Sequence, residues 1–264
     1  MAMTGFFDFT HAIVRKPGHS VISGLRDGDG PDPDYERLNI EHDNYVAALR
    51  HAGVSVDVLE AAEAYPDSVF VEDAALVFCE GAILLRPGAP SRAEEAALLL
   101  PALQRHFDAV LTQKEGRADG GDILATPDAV IIGLSHRTDR KGAESLAVLL
   151  SRFGKRAVIE QTPAKILHFK TGCGMIDEET VLAVPEMAGC GAFNSLRVLV
   201  TPEGEEGAAN ILRVGSKVLI GQHWAKTRDM IERLGIETVA LPVTEIAKLD
   251  AGLSCMSLRW RACL

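Results

Sequence analysis

Aromatic side chains are scarce in this 264-residue chain, where Phe, Trp and Tyr together make 5%. The basic residues are not clustered with the few rings, so a nucleic-acid surface has no support. Positive charge is also short. The 27 Lys+Arg against 37 Asp+Glu leave a formal charge of −10. That balance disfavours phosphate backbones and anionic membrane surfaces, and is more compatible with a cationic small molecule. No apolar run approaches the roughly 18 residues of a membrane span. The N-terminal MAMTGFFDFTHAIVR lacks the basic region, apolar core and cleavage site of a secretion signal. The five cysteines, Cys79, Cys173, Cys190, Cys255 and Cys263, show no CxxC or other metal-like spacing. An odd, scattered set argues for free thiols in a reducing compartment, with Cys263 an incidental exposed thiol. These absences together predict a soluble, cytoplasmic protein. Phosphate-binding, dinucleotide, HExxH and GxSxG motifs are missing as well.

What is present is ordinary globular composition, 47% hydrophobic and 24% charged, and a repeat. Asp122–Ala125 reads as a strand and Pro127-Asp128 as a turn, followed by an apolar run from Ala129 to Leu134. A helix from about Thr138 to Arg152 carries Ala143, Leu146, Leu149 and Leu150 on one face, and Ala157–Ile159 reads as a third strand. The unit recurs at 208–243, with Gly215-Ser216 in the turn. It recurs again at 72–112, where Cys79–Gly81 turns the hairpin and Ser91 is the expected helix N-cap. A fourth unit begins near Leu167 with a poorly marked helix around Ala188–Asn194. The fifth is split across the termini: Met256–Trp260, then His11–Arg15, a helix at Asp34–His51 and a strand at Val54–Leu59. Five such units predict radial repetition in a single α/β domain over residues 1–264.

The repeat gathers dispersed polar residues. Asp73, Asp119, His168, Asn210 and Cys255 each stand just before the first strand of a unit, at successive spacings of 46, 49, 42 and 45. Around an axis they converge, and carboxylates, an imidazole and a thiol together suit nucleophilic catalysis. Arg86 and Arg137 match each other, shortly after the second strands of their units. Taken singly, each has a bland reading: a core histidine, a DGGD turn, a small buried thiol, surface arginines. Adjacent Glu72 and Asp73, between apolar runs, need a cation or hydrogen-bond donors.

Several segments then carry a family resemblance. DSVFVED (67–73), LLRPGAPSR (84–92), DGGDIL (119–124), GLSHRTDRKGAE (133–144), LHFKTG (167–172), AANI (208–211) and DAGLSCMS (250–257), with THAIVR (10–15), stand in the order found in the dimethylarginine dimethylaminohydrolases. The resemblance implies the five-bladed α/β propeller of the guanidine-modifying (pentein) superfamily. It also implies hydrolysis of Nω-methylated arginines to citrulline and an amine, with neither metal nor organic cofactor. On this resemblance Cys255 is the nucleophile, His168 the general acid/base and Asp119 the carboxylate orienting it. Asp73 with Glu72 would hold the guanidinium, Asp67 is a further substrate-side acid, and Arg86 and Arg137 would hold the α-carboxylate. Backbone groups at Leu25 and Leu249 would meet the α-amino end, and the segment 19–34 would be a lid. The shorter Asp119 departs from relatives that carry Glu there, which puts its reach to the imidazole in question. Alternatives are an arginine deiminase-like hydrolase, a non-catalytic arginine-binding protein and a generic cysteine amidase. The expected partner is a small molecule, with a homodimer possible on exposed surfaces.

Overall fold

Short apolar runs joined by tight turns, each followed by a helix or loop and a third strand, set the architecture. The computed structural model describes residues 5–263. In chain order the elements are β1 (His11–Arg15), α1 (Tyr35–His51), β2 (Ser55–Leu59), β3 (Ala75–Phe78), β4 (Gly81–Leu84), α2 (Leu100–His106) and β5 (Val110–Thr112). Then come β6 (Ile123–Ala125), β7 (Val130–Leu134), α3 (Arg140–Ser151), β8 (Ala157–Gln161), β9 (Cys173–Met175), β10 (Thr180–Ala183) and β11 (Arg197–Val200). The last are β12 (Leu212–Val214), β13 (Lys217–Gly221), α4 (Ala225–Glu232), β14 (Glu237–Leu241) and β15 (Leu258–Trp260).

These strands form five three-stranded sheets, ordered β3-β4-β5, β6-β7-β8, β9-β10-β11, β12-β13-β14 and β15-β1-β2. In each, the first strand is antiparallel to the second and the second parallel to the third. The fifth sheet joins the two ends of the chain, as the split repeat predicted. Central strands such as β4 and β7 are buried along their whole length. That explains their unbroken apolar sequences, GAIL and VIIGL, since neither face meets water. The turns before the first strands touch in sequence around the axis: Val71–Ala74 meets Gly120–Asp122, which meets Phe169–Thr171, which meets Glu206–Ala209. Leu253–Met256 comes back to Val71–Ala74.

Local chemistry explains the helix ends. Asp34 accepts from Arg37 N at the start of α1, and Asp139 accepts from Gly142 N at 2.7 Å at the start of α3, satisfying backbone donors left open there. Two expectations fail. Ser91 is no N-cap, because it lies inside a 3-10 turn (Pro90–Arg92) and α2 begins only at Leu100. The intervening chain stays 3-10 (Glu95–Leu99) while buried Arg92 grips Glu95. The fourth unit has no α-helix between β10 and β11, where 3-10 turns Pro185–Met187 and Gly191–Phe193 stand instead. Pro185, Gly189 and Gly191 disfavour helix propagation there.

The cysteines also need correction. Cys79 and Cys263 form a disulfide, with Cα atoms 5.1 Å apart and 184 residues between them in sequence. Strand β15 packs beside β3, so the residue three beyond β15 arrives at the turn that closes β3. Cys173, Cys190 and Cys255 are free. The inference from five free thiols to a reducing compartment thereby loses its premise. Among the described residues no helix is long and apolar enough to cross a membrane.

The disulfide ties the split fifth blade to the first complete one. Cys79→Ser should lower the melting temperature by roughly 5–15 °C, from about 2–4 kcal/mol of lost cross-link stabilisation. A reductant should reproduce the loss in the unmodified protein and add nothing in the variant; equal melting of both proteins in oxidant and reductant would contradict it.

Candidate active site

The turn before each first strand places one polar residue at the axis. In the DGGD segment this requires glycine. A Cβ on Gly121 would sit 2.8 Å from an Asp73 carboxylate oxygen and from the His168 ring, and one on Gly120 would strike the Glu72 carbonyl. The bland turn reading of DGGD is therefore incomplete, because its glycines let three blades approach one another.

Asp119, fully buried, is the centre of the first group. One carboxylate oxygen lies 3.0 Å from His168 Nε2, and the other accepts from Gly88 N at 2.6 Å. The shorter acid thus reaches the imidazole. Arg137 Nη1 stands 3.8 Å from the same Asp119 oxygen that faces His168. Asp73 accepts from Gly121 N at 2.8 Å and from Arg92 Nη1 at 2.5 Å. Burial opposes its charge, but Arg92, His168 and these donors outweigh it and hold the carboxyl down at about 2. For His168, burial disfavours the imidazolium. Asp73, Asp119 and Asp122 more than reverse this and raise it to about 9. Ligand atoms of Asp73, Asp119 and His168 lie within 4.8 Å of one another, so this trio is spaced to surround a small cation or to hold a metal ion.

Cys255 sits half-buried in the 3-10 turn Leu253–Met256. Gly252 N points at its sulfur from 3.5 Å and Asn210 Nδ2 from 3.9 Å. Burial, followed by the charges of Glu72 and Asp73, pushes the thiol up to about 12. Glu72 finds the cations its sequence context demanded. Lys170 Nζ lies at 2.6 Å, Arg259 Nη2 at 3.1 Å, and Ser254 Oγ donates at 3.0 Å. A resting thiol facing two carboxylates remains protonated at neutral pH, and an incoming cation reverses that balance.

Asp67 is buried and its carboxyl raised, chiefly by desolvation, while it accepts from Leu25 N at 2.8 Å. Leu25 itself is exposed, and two residues on, Asp27 N donates to Asp250 at 2.6 Å. Leu249, itself buried, ends the turn Ile246–Leu249, and Asp250 follows in the left-handed region with φ 53°. Backbone donors of the 19–34 segment reach four carboxylates: Glu63 from His19 and Ser20, Asp67 from Leu25, Asp250 from Asp27 and Glu245 from Asp34.

Arg86 stands beside this group through its backbone, whose carbonyl accepts from Ala118 N at 2.9 Å. Arg86 is exposed and donates to the Lys114 carbonyl at 2.7 Å. The buried arginine is Arg92, from the same RPGAPSR segment. It grips Asp73 and Glu95 and donates to the Asp67 and Phe70 carbonyls at 3.2 and 3.0 Å. Arg86 and Arg137 follow β4 and β7 at matching places, and Gly88 packs so closely on the Arg137 backbone that a Cβ would not fit, while the chain beyond it turns inward to Arg92. Sequence reading also missed Asp122, the second acid of DGGD. Asp122 accepts from Phe169 N at 2.8 Å, Ser135 Oγ at 2.6 Å and Thr138 Oγ1 at 2.7 Å. Ser135 Oγ in turn accepts from Arg137 N and Thr138 Oγ1 from Asp119 N. This one buried acid therefore fixes the loops bearing His168, Arg137 and Asp119. Desolvation raises its own carboxyl to about 6.

Two measurements check this electrostatic arrangement. The His168 ring should titrate by NMR near pH 9. In Asp122→Asn that midpoint should fall, because a negative charge is lost, and catalytic efficiency should drop roughly 10- to 100-fold from loosened positioning. A midpoint near 6.5, the ordinary histidine value, would contradict the arrangement.

Comparison with known proteins agrees with this geometry. The arginine deiminase family model matches residues 61–211. A dimethylarginine dimethylaminohydrolase of Pseudomonas aeruginosa is 34% identical over 96% of this chain and 100% of its own length. A second, from Streptomyces coelicolor, is 33% identical over 95% of this chain and 96% of its own. A solved structure of the Pseudomonas enzyme, a cysteine-to-serine mutant complexed with citrulline, superposes with a TM-score of 0.93, at 34% identity, over 96% of this chain and 100% of that one. The N-terminal domain of a cyanobacterial arginine dihydrolase, only 17% identical, shares the fold with a TM-score of 0.84 over 96% of this chain and 97% of that one. This five-bladed α/β propeller with its axial thiol, imidazole and carboxylates belongs to the dimethylarginine dimethylaminohydrolase family of guanidine-modifying enzymes.

Proposed function

We propose that the chain, working as one domain, hydrolyses Nω,Nω-dimethyl-L-arginine and Nω-monomethyl-L-arginine. The products are L-citrulline and dimethylamine or methylamine. The observation carrying this reading is Asp73 acting on both Cys255 and His168, with Glu72 beside the thiol and Asp119 on the imidazole, in a chain aligned end to end with enzymes named for that reaction. A guanidinium presents a planar fork of N–H donors, and Asp73 and Asp119 offer acceptors for it. Arg137, partly exposed beside Asp119, and Arg86 are assigned the substrate α-carboxylate. Leu25 and Leu249 remain assigned to the α-amino end, with Asp67 behind Leu25.

The bound cation offsets Glu72 and Asp73, so the Cys255 proton leaves to solvent and the thiolate attacks the guanidinium carbon. A C–S bond forms, and the C=N electron pair moves onto nitrogen. The carbon bond to the methylated nitrogen then breaks as His168, already an imidazolium, gives that nitrogen its proton. An amine leaves, and the S-alkylthiouronium remains. Water adds to its carbon and yields a proton to the now neutral His168. The C–S bond then breaks as the remaining hydroxyl proton passes to the sulfur, restoring the resting thiol, and citrulline separates. The carbon under attack carries positive charge, so the first step requires no oxyanion hole.

Purified protein supplied with dimethylarginine, monomethylarginine and arginine should release citrulline and amine from the methylated substrates. Turnover of arginine alone would favour the deiminase-like alternative, and no citrulline from any of them would remove the reading. Cys255→Ser should abolish turnover while leaving substrate binding within a few-fold. Arg137→Ala should raise KM roughly 10- to 100-fold, the loss of a charge-assisted contact, with a smaller change in kcat. A variant with unchanged KM would return the α-carboxylate to another group.

A further inference from the structure

Below the catalytic turns the ring encloses a cavity of about 280 Å³. It is lined by residues of the first strands of all five blades, and Glu72, Lys170 and Ser254 lie at its boundary with the Cys255 turn. None of Cys255, His168, Asp119, Asp73 or Arg137 lines it. Its volume falls at the low end of small-molecule sites.

The lining departs sharply from the rest of the chain. Phe6, Phe7, Phe9, Phe78 and Trp260 are five of only fourteen aromatic residues in the sequence. The chain carries a charge of −10, yet the charged side chains here are Lys155, Lys170, Arg213, Arg259 and Arg261 against the single carboxylate of Glu72. Lys170 and Arg259 share that carboxylate, and Lys155 pairs with Glu80 at 2.8 Å. Arg213 donates to the backbone carbonyls of Gly215 at 2.7 Å and Ile176 at 3.1 Å, while Asp177, Asp8 and Glu178 act on its charge from outside the cavity. Among the described residues no carboxylate forms an ion pair with Arg213 or Arg261. Arg259 Nε is buried without a hydrogen-bond partner, and its guanidinium stands 6.0 Å from the Phe9 ring centroid. Arg259 thus shares its one carboxylate with Lys170 and keeps an open donor, a combination that an anion in the cavity would complete.

We propose that this axial cavity is a second binding site, for a small amphiphilic carboxylate whose head meets Arg213 and Arg259 and whose apolar ring or short chain lies among the phenylalanines. Of the residues assigned to the hydrolytic site it shares only Glu72, so binding here can be measured apart from turnover.

Calorimetric titration of the full-length protein with 3-phenylpropionate tests the site, with uncharged 3-phenylpropanamide as control. Saturable binding of the acid is expected, with the amide at least about tenfold weaker, as loss of a charged hydrogen bond requires. Arg213→Gln should weaken the acid by a similar factor. Val77→Phe, which fills space in the cavity without changing charge, should weaken acid and amide together. Arg137→Ala, in the catalytic cleft, should leave acid binding unchanged. The proposal fails if the unmodified protein shows no saturable binding up to the solubility of the acid. It fails equally if Arg137→Ala removes binding while both cavity variants retain it.

Discussion

Six carboxylates, Asp67, Glu72, Asp73, Glu95, Asp119 and Asp122, lie at one end of the propeller axis, each no more than 5% exposed. Burying that much negative charge is tolerable only with cations or donors in contact. The surrounding structure supplies them. Arg92 is locked between Asp73 and Glu95, Lys170 and Arg259 meet at Glu72, and His168 stands against Asp119. Arg137 adds a looser contact at 3.8 Å. With His168 charged, five resident cations face six acids, and a guanidinium fits the deficit.

The same imbalance controls the nucleophile. A thiol held up near 12 by burial and then by Glu72 and Asp73 stays protonated at neutral pH, and neutralising those charges favours its ionisation. The group that neutralises them is also the electrophile, so activation and substrate recognition are one event. His168 works in the opposite sense. Its raised value, about 9, keeps it protonated at neutral pH, as a proton donor to a departing amine requires. The carboxylates therefore suppress one reactive group and arm the other.

Much of this was legible in the sequence because it is local. The Pro127-Asp128 turn, the buried run of β7 and the periodicity of α3 lie within a few residues of one another, and the repeat placed Asp73, Asp119, His168 and Cys255 together without coordinates. Arg92 and Asp122 were hidden because their roles depend on distant contacts. Arg92 reads as a surface residue near a helix start until close packing at Gly88 turns the chain beneath Asp73. Asp122 reads as the end of a turn until Phe169, Ser135 and Thr138 converge on it. The Cys79–Cys263 pair is nonlocal in the same way, spanning 184 residues and visible only once the terminal blade is closed.

The central claim is that the cation itself ionises Cys255, and the pH dependence of Cys255 alkylation measures it directly. In the free protein, reactivity at this cysteine should rise only far above neutrality, toward the thiol value of about 12. With a saturating alkylguanidinium that is not turned over, the apparent midpoint should fall by several pH units. A Cys255 already ionised at neutral pH in the free protein, or a midpoint that the guanidinium leaves in place, would contradict the account.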